Sequence, residues 1–179
     1  MAIKEKKRVR SSYNELGGDL YNTRYRDEQE VKYDVIFSLI EVKLNNLLLD
    51  DGCGSGMLLE RLIGPTVGLD FSSELLSTAK RKLKLLHYLV QGDAEKLPFR
   101  KGIFDAVVSV TLLQNTPEPE QVLSEIGYVT HFGGALAITA LKKTFTNEEF
   151  LKIMKSAAFK YFDIVPSESS PDWYAYGER

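Results

Sequence analysis

The chain has very little cysteine and histidine: one Cys, Cys53, and two His, His87 and His131, in 179 residues. A lone thiol cannot close an internal disulfide, which fits a reducing, cytoplasmic compartment. Two distant histidines and one cysteine give no zinc-ligand spacing, so no metal site is expected. No apolar run approaches the ~20 residues of a membrane helix, and the N-terminus is charged where a secretory signal needs an apolar stretch. An excess of charge is also missing. With 23 Lys and Arg against 25 Asp and Glu, the net charge of -2 gives no general attraction to nucleic acid or membrane. A local basic patch could still serve an RNA substrate. Repeats and low-complexity segments are absent. The remainder is an ordinary globular composition, 44% hydrophobic, of a length that suits one domain over 1–179. Residues 1–26 read as an N-terminal arm or lid and 27–179 as the core.

The first ten residues carry Lys4, Lys6, Lys7, Arg8 and Arg10 against Glu5. They read either as a frayed, solvated terminus or as a basic arm for a phosphate backbone. Tyr13, Tyr21 and Tyr25 come next, with Gly17-Gly18 interrupting any helix. A helix is predicted from about Asp27 to Val42, with Val31, Val35, Ile36, Leu39 and Ile40 on its apolar side.

From residue 46 apolar runs alternate with helical patterns. Strands are predicted at 46–51, 66–70, 86–90, 104–110 and 134–141, the last after a Gly133-Gly134 turn. Helices are predicted to open at 57–62, to run from the N-cap Ser72 through Lys84, and to cover 117–130. Thr146 to Glu149 has the form of a capping box, with a helix to about Ala158. Strands at 161–165 and 173–177 are joined by a Ser/Pro-rich turn. Strand–helix alternation implies a mostly parallel sheet with helices on both faces. The last connection is too short for a crossover helix, so one terminal strand must run antiparallel.

The segment Leu47-Leu48-Leu49-Asp50-Asp51-Gly52-Cys53-Gly54-Ser55-Gly56 joins the first strand to the helical pattern that opens at Met57. Its glycines permit a tight turn and let a ligand approach the backbone. The spacing is Gly-x-Gly-x-Gly, and Met57 stands where a dinucleotide fingerprint needs glycine. Asp50 and Asp51 would repel a pyrophosphate and favour a cationic ligand. Asp70 lies 18 residues beyond Gly52, close to the ~20 of an acid that accepts ribose hydroxyl bonds. It also suits a helix-capping acid before Ser72. Asp93, after the third strand, could accept from an amino group. Acids after three successive strands converge on one crevice at one sheet edge.

Together, LLLDDGCGSG (47–56), VGLDFS (67–72), QGDAEKLPF (91–99), FDAVVSVTLLQN (104–115) and LSEIGYVTHFGGALAIT (123–139) resemble the class I S-adenosylmethionine-dependent methyltransferases, in particular the small type 11 group. The resemblance runs from about Tyr33 to Gly177. It implies a Rossmann-like α/β fold, with a seven-stranded sheet in the order 3-2-1-4-5-7-6 and strand 7 antiparallel. It also implies S-adenosyl-L-methionine as cofactor. Asp50 and the backbone of Gly52, Cys53 and Gly54 would hold its methionine part, and Asp70 its ribose. Phe71 and Ser72 would lie near the adenosine, Asp93 and Ala94 at the adenine, and Thr111 beside the departing methyl. The chain departs from the family at Gln114-Asn115, where a histidine is common, which removes the usual general base. An Asn/Asp-Pro-Pro-Tyr/Phe motif after strand 4 is lacking as well.

Gln114 and Asn115 could orient a substrate by hydrogen bonds, or simply cap the end of strand 4. Tyr13, Tyr21 and Tyr25 could form a lid, with Tyr25 near the substrate, or anchor an N-terminal helix. Only Lys142 to Phe145 separate strand 5 from the next helix, which leaves no insertion to enclose a small substrate. That favours an RNA (tRNA or rRNA) or protein acceptor. The apolar edge strand Leu86–Val90 could pair with a small zinc-binding activator subunit, or be covered by helices. A small-molecule methyltransferase and a non-catalytic S-adenosylmethionine-binding regulator are the alternatives.

Overall fold

The computed structural model describes every residue except Met1, Val42, Leu44, Ala158 and 166–169. The helix ends expected at Val42 and Ala158 and most of the Ser/Pro-rich turn therefore lie outside the described residues.

Helices α1 (Ala2–Leu16) and α2 (Gly18–Leu39) open the chain. Strand β1 (Leu48–Asp51) leads through a 3-10 turn at Leu59–Arg61 to β2 (Thr66–Asp70), α3 (Ser73–Lys82) and β3 (His87–Gln91). Next come β4 (Phe104–Ser109), a second 3-10 turn at Leu113–Asn115, α4 (Pro119–Val129) and β5 (Thr130–Leu141). Helix α5 (Asn147–Ser156), β6 (Tyr161–Val165) and β7 (Asp172–Glu178) complete it. The seven strands form one sheet in the order β3-β2-β1-β4-β5-β7-β6. β1 to β5 pair parallel, and β7 runs antiparallel to β5 and β6.

The strands are near-continuous apolar runs because both faces are covered. Alternation along β1 and β4 sends Leu49 and Val107 to the face packed by Ile126 of α4 and Phe150 of α5. Leu48, Ala106 and Val108 go to the opposite face, against Tyr33 and Ile36 of α2. Ser72 caps α3, its hydroxyl accepting from the Leu75 amide at 3.2 Å. The capping box at Thr146 and Glu149 starts α5.

Several expectations need correction. The N-terminal segment is not frayed: α1 spans Ala2–Leu16 and ends in a turn at Gly17, whose φ of 69° halts the helix. Gly18 does not interrupt α2 but begins it, nine residues ahead of the expected Asp27. A Cβ there would come within 2.2 Å of the Thr78 hydroxyl, so only glycine lets α2 approach α3 this closely. Val31 faces solvent at 42% exposure, and the buried side of α2 instead holds Asn22, Gln29, Lys32, Tyr33 and Ile36. Residues 57–62 form only the short 3-10 turn, and β5 begins at Thr130, running through Gly133-Gly134.

Candidate functional site

β1, β2, β3 and β4 all end at one edge of the sheet, where the order reverses between β1 and β4. Ligands bind α/β sheets in the crevice at that point. A cavity of about 450 Å³ opens there. Its floor is made by the loops after β1, β2, β3 and β4, and its roof by Lys6, Arg10 and Tyr13 of α1 and Tyr21, Tyr25, Glu28 and Gln29 of α2.

The loop after β1 turns through Gly52 (φ 87°) and Gly54 (φ 53°), a conformation that side chains rarely adopt. A Cβ on Gly52 would also press on the Leu112 side chain at 3.1 Å. The Gly54 amide donates to Asp70 Oδ2 at 2.8 Å, and the Ser72 amide to Asp70 Oδ1 at 2.8 Å. Asp70 therefore ties the loops after β1 and β2 together, and so acts partly as the capping acid. A carboxylate has about four acceptor positions, so capacity remains for two hydroxyls. Ser72 donates its hydroxyl to Asn14 Oδ1 at 2.6 Å while capping α3. Ser55 of the loop is hydrogen-bonded to Asn22 of α2.

Of the residues named from sequence, Gly52, Gly54, Asp70, Phe71, Ser72, Asp93, Ala94, Thr111, Gln114, Asn115 and Tyr25 all line this cavity. Asp50 and Cys53 do not. The Cys53 side chain turns away to pack with Leu59 and Leu76, which leaves its backbone to the loop. Burial pushes its thiol pKa up, so it stays protonated. Asp50 lies beneath the cavity, 2% exposed, with Oδ2 buried and without a hydrogen-bond partner. Both oxygens of Asp51 are likewise unpartnered.

Burial, and then the charges of Asp51 and Asp70, hold Asp50 well above the usual carboxylate range. Burial, then Asp70, Asp93 and Glu125, push Asp51 up to about 8. Burial also raises Asp70, against the amides that hydrogen-bond to it. Such a cluster of unmet carboxylates is relieved by positive charge, not by phosphate.

The roof is fastened at several points. Lys6 Nζ contacts Asp93 Oδ2 at 2.6 Å and Glu95 Oε2 at 2.5 Å. The Arg10 guanidinium lies 5.3 Å from the centre of the Phe71 ring. Asn115 Nδ2 donates to the Tyr13 hydroxyl at 3.1 Å. Tyr13, Tyr21 and Tyr25 form a ring cluster, with centroids 6.0 and 5.0 Å apart along the series.

Sequence reasoning missed the polar frame beside Thr111. Lys32 is fully buried, with Nζ 2.8 Å from Thr111 Oγ1, 2.7 Å from Glu28 Oε1 and 3.1 Å from Asp172 Oδ1. The last contact is an ion pair in distance but is not aligned as a hydrogen bond. Asp172 Oδ2 accepts from the hydroxyls of Thr111 at 2.8 Å and Thr139 at 2.7 Å. The Thr111 amide donates to Thr139 Oγ1 at 2.9 Å. These bonds hold Thr111 at φ 56°, the sole positive φ outside glycine among the described residues. The Glu28–Lys32 spacing of four was the one available signal.

A family model described as a methyltransferase domain matches residues 49–138. The demethylmenaquinone methyltransferase of Lactobacillus johnsonii is 32% identical over 142 residues, covering 73% of this chain and 56% of that protein. The malonyl-[acyl-carrier protein] O-methyltransferase of Buchnera aphidicola is 31% identical over 140 residues, covering 76% and 56%. The chain thus spans about half the length of these curated relatives. Among solved structures, a chain of the complex between the Haloferax volcanii Trm112 methyltransferase activator and a methyltransferase superposes with a TM-score of 0.78 at 16% identity. That match covers 93% of this chain and 96% of the other, and it shows the shared fold. By its motifs, strand order and sequence matches, the chain belongs to the class I S-adenosylmethionine-dependent methyltransferases.

Proposed function

We propose that this chain transfers the methyl group of S-adenosylmethionine to a small-molecule acceptor enclosed beneath α1 and α2. The observation that carries the reading is a glycine loop set over the buried, unmet Asp50, with Asp70 and Asp93 lining the same cavity. Such acids fit a ligand that carries an ammonium and a sulfonium and no phosphate. Asp50 and the backbone of Gly52, Cys53 and Gly54 would hold the methionine part. Asp70 would hold the ribose, Phe71 and Ser72 would flank the adenosine, and Asp93 and Ala94 would meet the adenine. Asp93 would share its carboxylate with Lys6. Thr111 would stand beside the methyl.

When bound, the sulfonium supplies an already activated methyl, so the protein needs to position the acceptor and exclude water. Positioning can account for up to ~7–11 kcal/mol of barrier reduction. The tyrosine cluster and α1 supply the exclusion. The lack of an insertion after β5 suggests an open site on sequence grounds alone. The N-terminal helices take the enclosing role instead, which favours a small acceptor. The relatives named for demethylmenaquinone and for malonyl-[acyl-carrier protein] support the same direction. The free, buried Cys53 supports a reducing, cytoplasmic setting.

Calorimetry with S-adenosylmethionine tests the pocket. Wild type should bind, and Asp70→Ala, which also unties two loops, should lose binding with its circular dichroism unchanged. A wild type that does not bind overturns the reading.

A macromolecular acceptor with an activator subunit is the second reading, favoured by the β3 edge. Leu85 is 95%, Tyr88 61% and Leu86 52% exposed there. The neighbour solved with the Trm112 activator makes it concrete. A monodisperse monomer that methylates a small acceptor unaided would remove this reading. A labelled cofactor that binds without any transfer to cell-extract fractions would favour a non-catalytic regulator.

A further inference from the structure

Large exposed apolar side chains gather at the edge of the sheet opposite the cavity. Ile63, 76% exposed, lies three residues before β2. Leu85, 95% exposed, and the exposed Leu86 directly precede β3, and Ile103 directly precedes β4. Phe132, 75% exposed, sits in the bulged start of β5. Because β1 to β5 run parallel, these positions share one edge. The Thr66 amide donates to the Leu86 carbonyl at 3.1 Å, which joins the loops before β2 and β3. The Gly102 amide donates to the Tyr128 carbonyl at 3.0 Å, which brings the exposed Tyr128 at the end of α4 beside Ile103. From β3 to β5 is four strand spacings, roughly 20 Å.

Cations stand among these tips. Lys84 precedes Leu85, Arg100 and Lys101 precede Ile103, and Lys43 lies ahead of β1. All four are exposed, and none is in an ion pair among the described residues. Acids are fewer and partly engaged. Asp105 accepts from the Leu47 amide at 2.9 Å, and Glu60 lies 3.5 Å from Lys82. Glu178 ends β7, beyond β5, and Glu41 is two residues from Lys43. The net charge of -2 describes the whole chain, whereas this edge is locally basic.

Single exposed apolar residues are ordinary, but a row of them set among cations marks an interaction surface. The mixture of chemistries identifies what it meets. A phosphate backbone would serve the cations and leave Leu85, Ile63 and Phe132 in water. A protein partner would need a matching pocket for tips that project from four separate loops. A lipid surface meets both needs: acyl chains deform around apolar tips, and anionic headgroups receive the cations. A partner strand paired with the β3 edge would cover Leu85 and Leu86 but not Ile103 or Phe132, which lie on the far side of β1.

We infer that this edge docks the chain on an anionic lipid bilayer, with Ile63, Leu85, Leu86, Ile103 and Phe132 inserted at the headgroup level and Lys43, Lys84, Arg100 and Lys101 among the headgroups. Docking of this kind needs no membrane-spanning helix. The cavity, at the opposite edge, stays open to water. The inference goes beyond the proposed function and does not depend on what the cavity binds.

The test is co-sedimentation of the full chain with vesicles made of equal parts phosphatidylcholine and phosphatidylglycerol, at about 0.1 M NaCl. Wild type should sediment with these vesicles and not with pure phosphatidylcholine. Leu85→Ser combined with Phe132→Ser should weaken binding about tenfold. Lys84→Ala combined with Lys101→Ala should do the same. All four side chains are exposed, so circular dichroism should be unchanged. Lys4→Ala combined with Arg8→Ala, on the exposed side of the basic helix α1, should bind as wild type does. No sedimentation of wild type, full binding by the Leu85/Phe132 variant, or an equal loss in the α1 variant overturns the inference. So does a dimer in analytical ultracentrifugation that the Leu85/Phe132 variant dissolves, since a second copy would then cover the edge.

Discussion

At the scale of the residue, Asp50 and Asp51 have different duties although they are adjacent in sequence. Alternation along β1 sends them to opposite faces. Asp50 influences Tyr21 and Tyr33, whereas Asp51 feels Asp93 and Glu125. Reading both acids as facing the ligand takes no account of that alternation. Asp51 has a testable consequence. Its carboxyl is raised from 3.8 to about 8 in the folded chain, chiefly by burial. The fold holds this proton more tightly than the unfolded chain does. The stability it confers is full below pH 4 and is lost as pH rises towards 8. Urea denaturation of wild type between pH 5 and 9 should show declining stability, and Asp51→Asn should flatten that decline. An unchanged slope in the variant would refute the assignment. Asp70 was legible in the sequence because its spacing from the loop is fixed by the length of one crossover. Gln29 was not, because nothing local distinguishes a glutamine on a buried helix face from one on a surface.

At the scale of the element, the strands were legible and the first two helices were not. A strand buried on both faces is a short apolar run, and β1, β2 and β4 read that way. Helix α2 hides its inward face because Asn22, Gln29 and Lys32, which are polar, are buried there in place of apolar residues. Helix α1 carries so much charge that it resembles solvated chain, yet Lys6, Arg10, Tyr13 and Asn14 each engage the rim of the cavity. These fastenings are few and partly exposed, so α1 should open locally well below the cost of global unfolding. Hydrogen exchange should show fast exchange over α1 in the free chain and protection when S-adenosylhomocysteine is added, with β1 and β4 protected in both. Equal exchange in α1 with and without the ligand would mean that it is a fixed wall.

At the scale of the whole molecule, the parallel sheet came from the alternation of elements and the antiparallel terminal strand from the short last connection, whereas the strand order came from the family resemblance alone. A lid was one of two readings of Tyr13, Tyr21 and Tyr25; what could not be read was the contact that fastens α2, since no local pattern encodes a contact across most of the sequence. The Lys32–Asp172 pair is such a contact: a cation from α2 meets an anion from β7, both fully buried. Replacing one partner strands the other charge in the interior. Lys32→Met should therefore cost ~3–5 kcal/mol in chemical denaturation, with part of the loss recovered when Asp172→Asn is added. No recovery in the double variant would show that the two act independently. The pairing also bears on synthesis. A chain emerging from the ribosome makes Lys32 early and Asp172 late, and until both are present the lysine has no buried anion to meet. The helices can coil at once and pack on β1 and β4 when those strands form, but Lys32 meets its buried anion only when β7 arrives. A chain that stalls before β7 would leave its roof without that latch and more exposed to proteolysis.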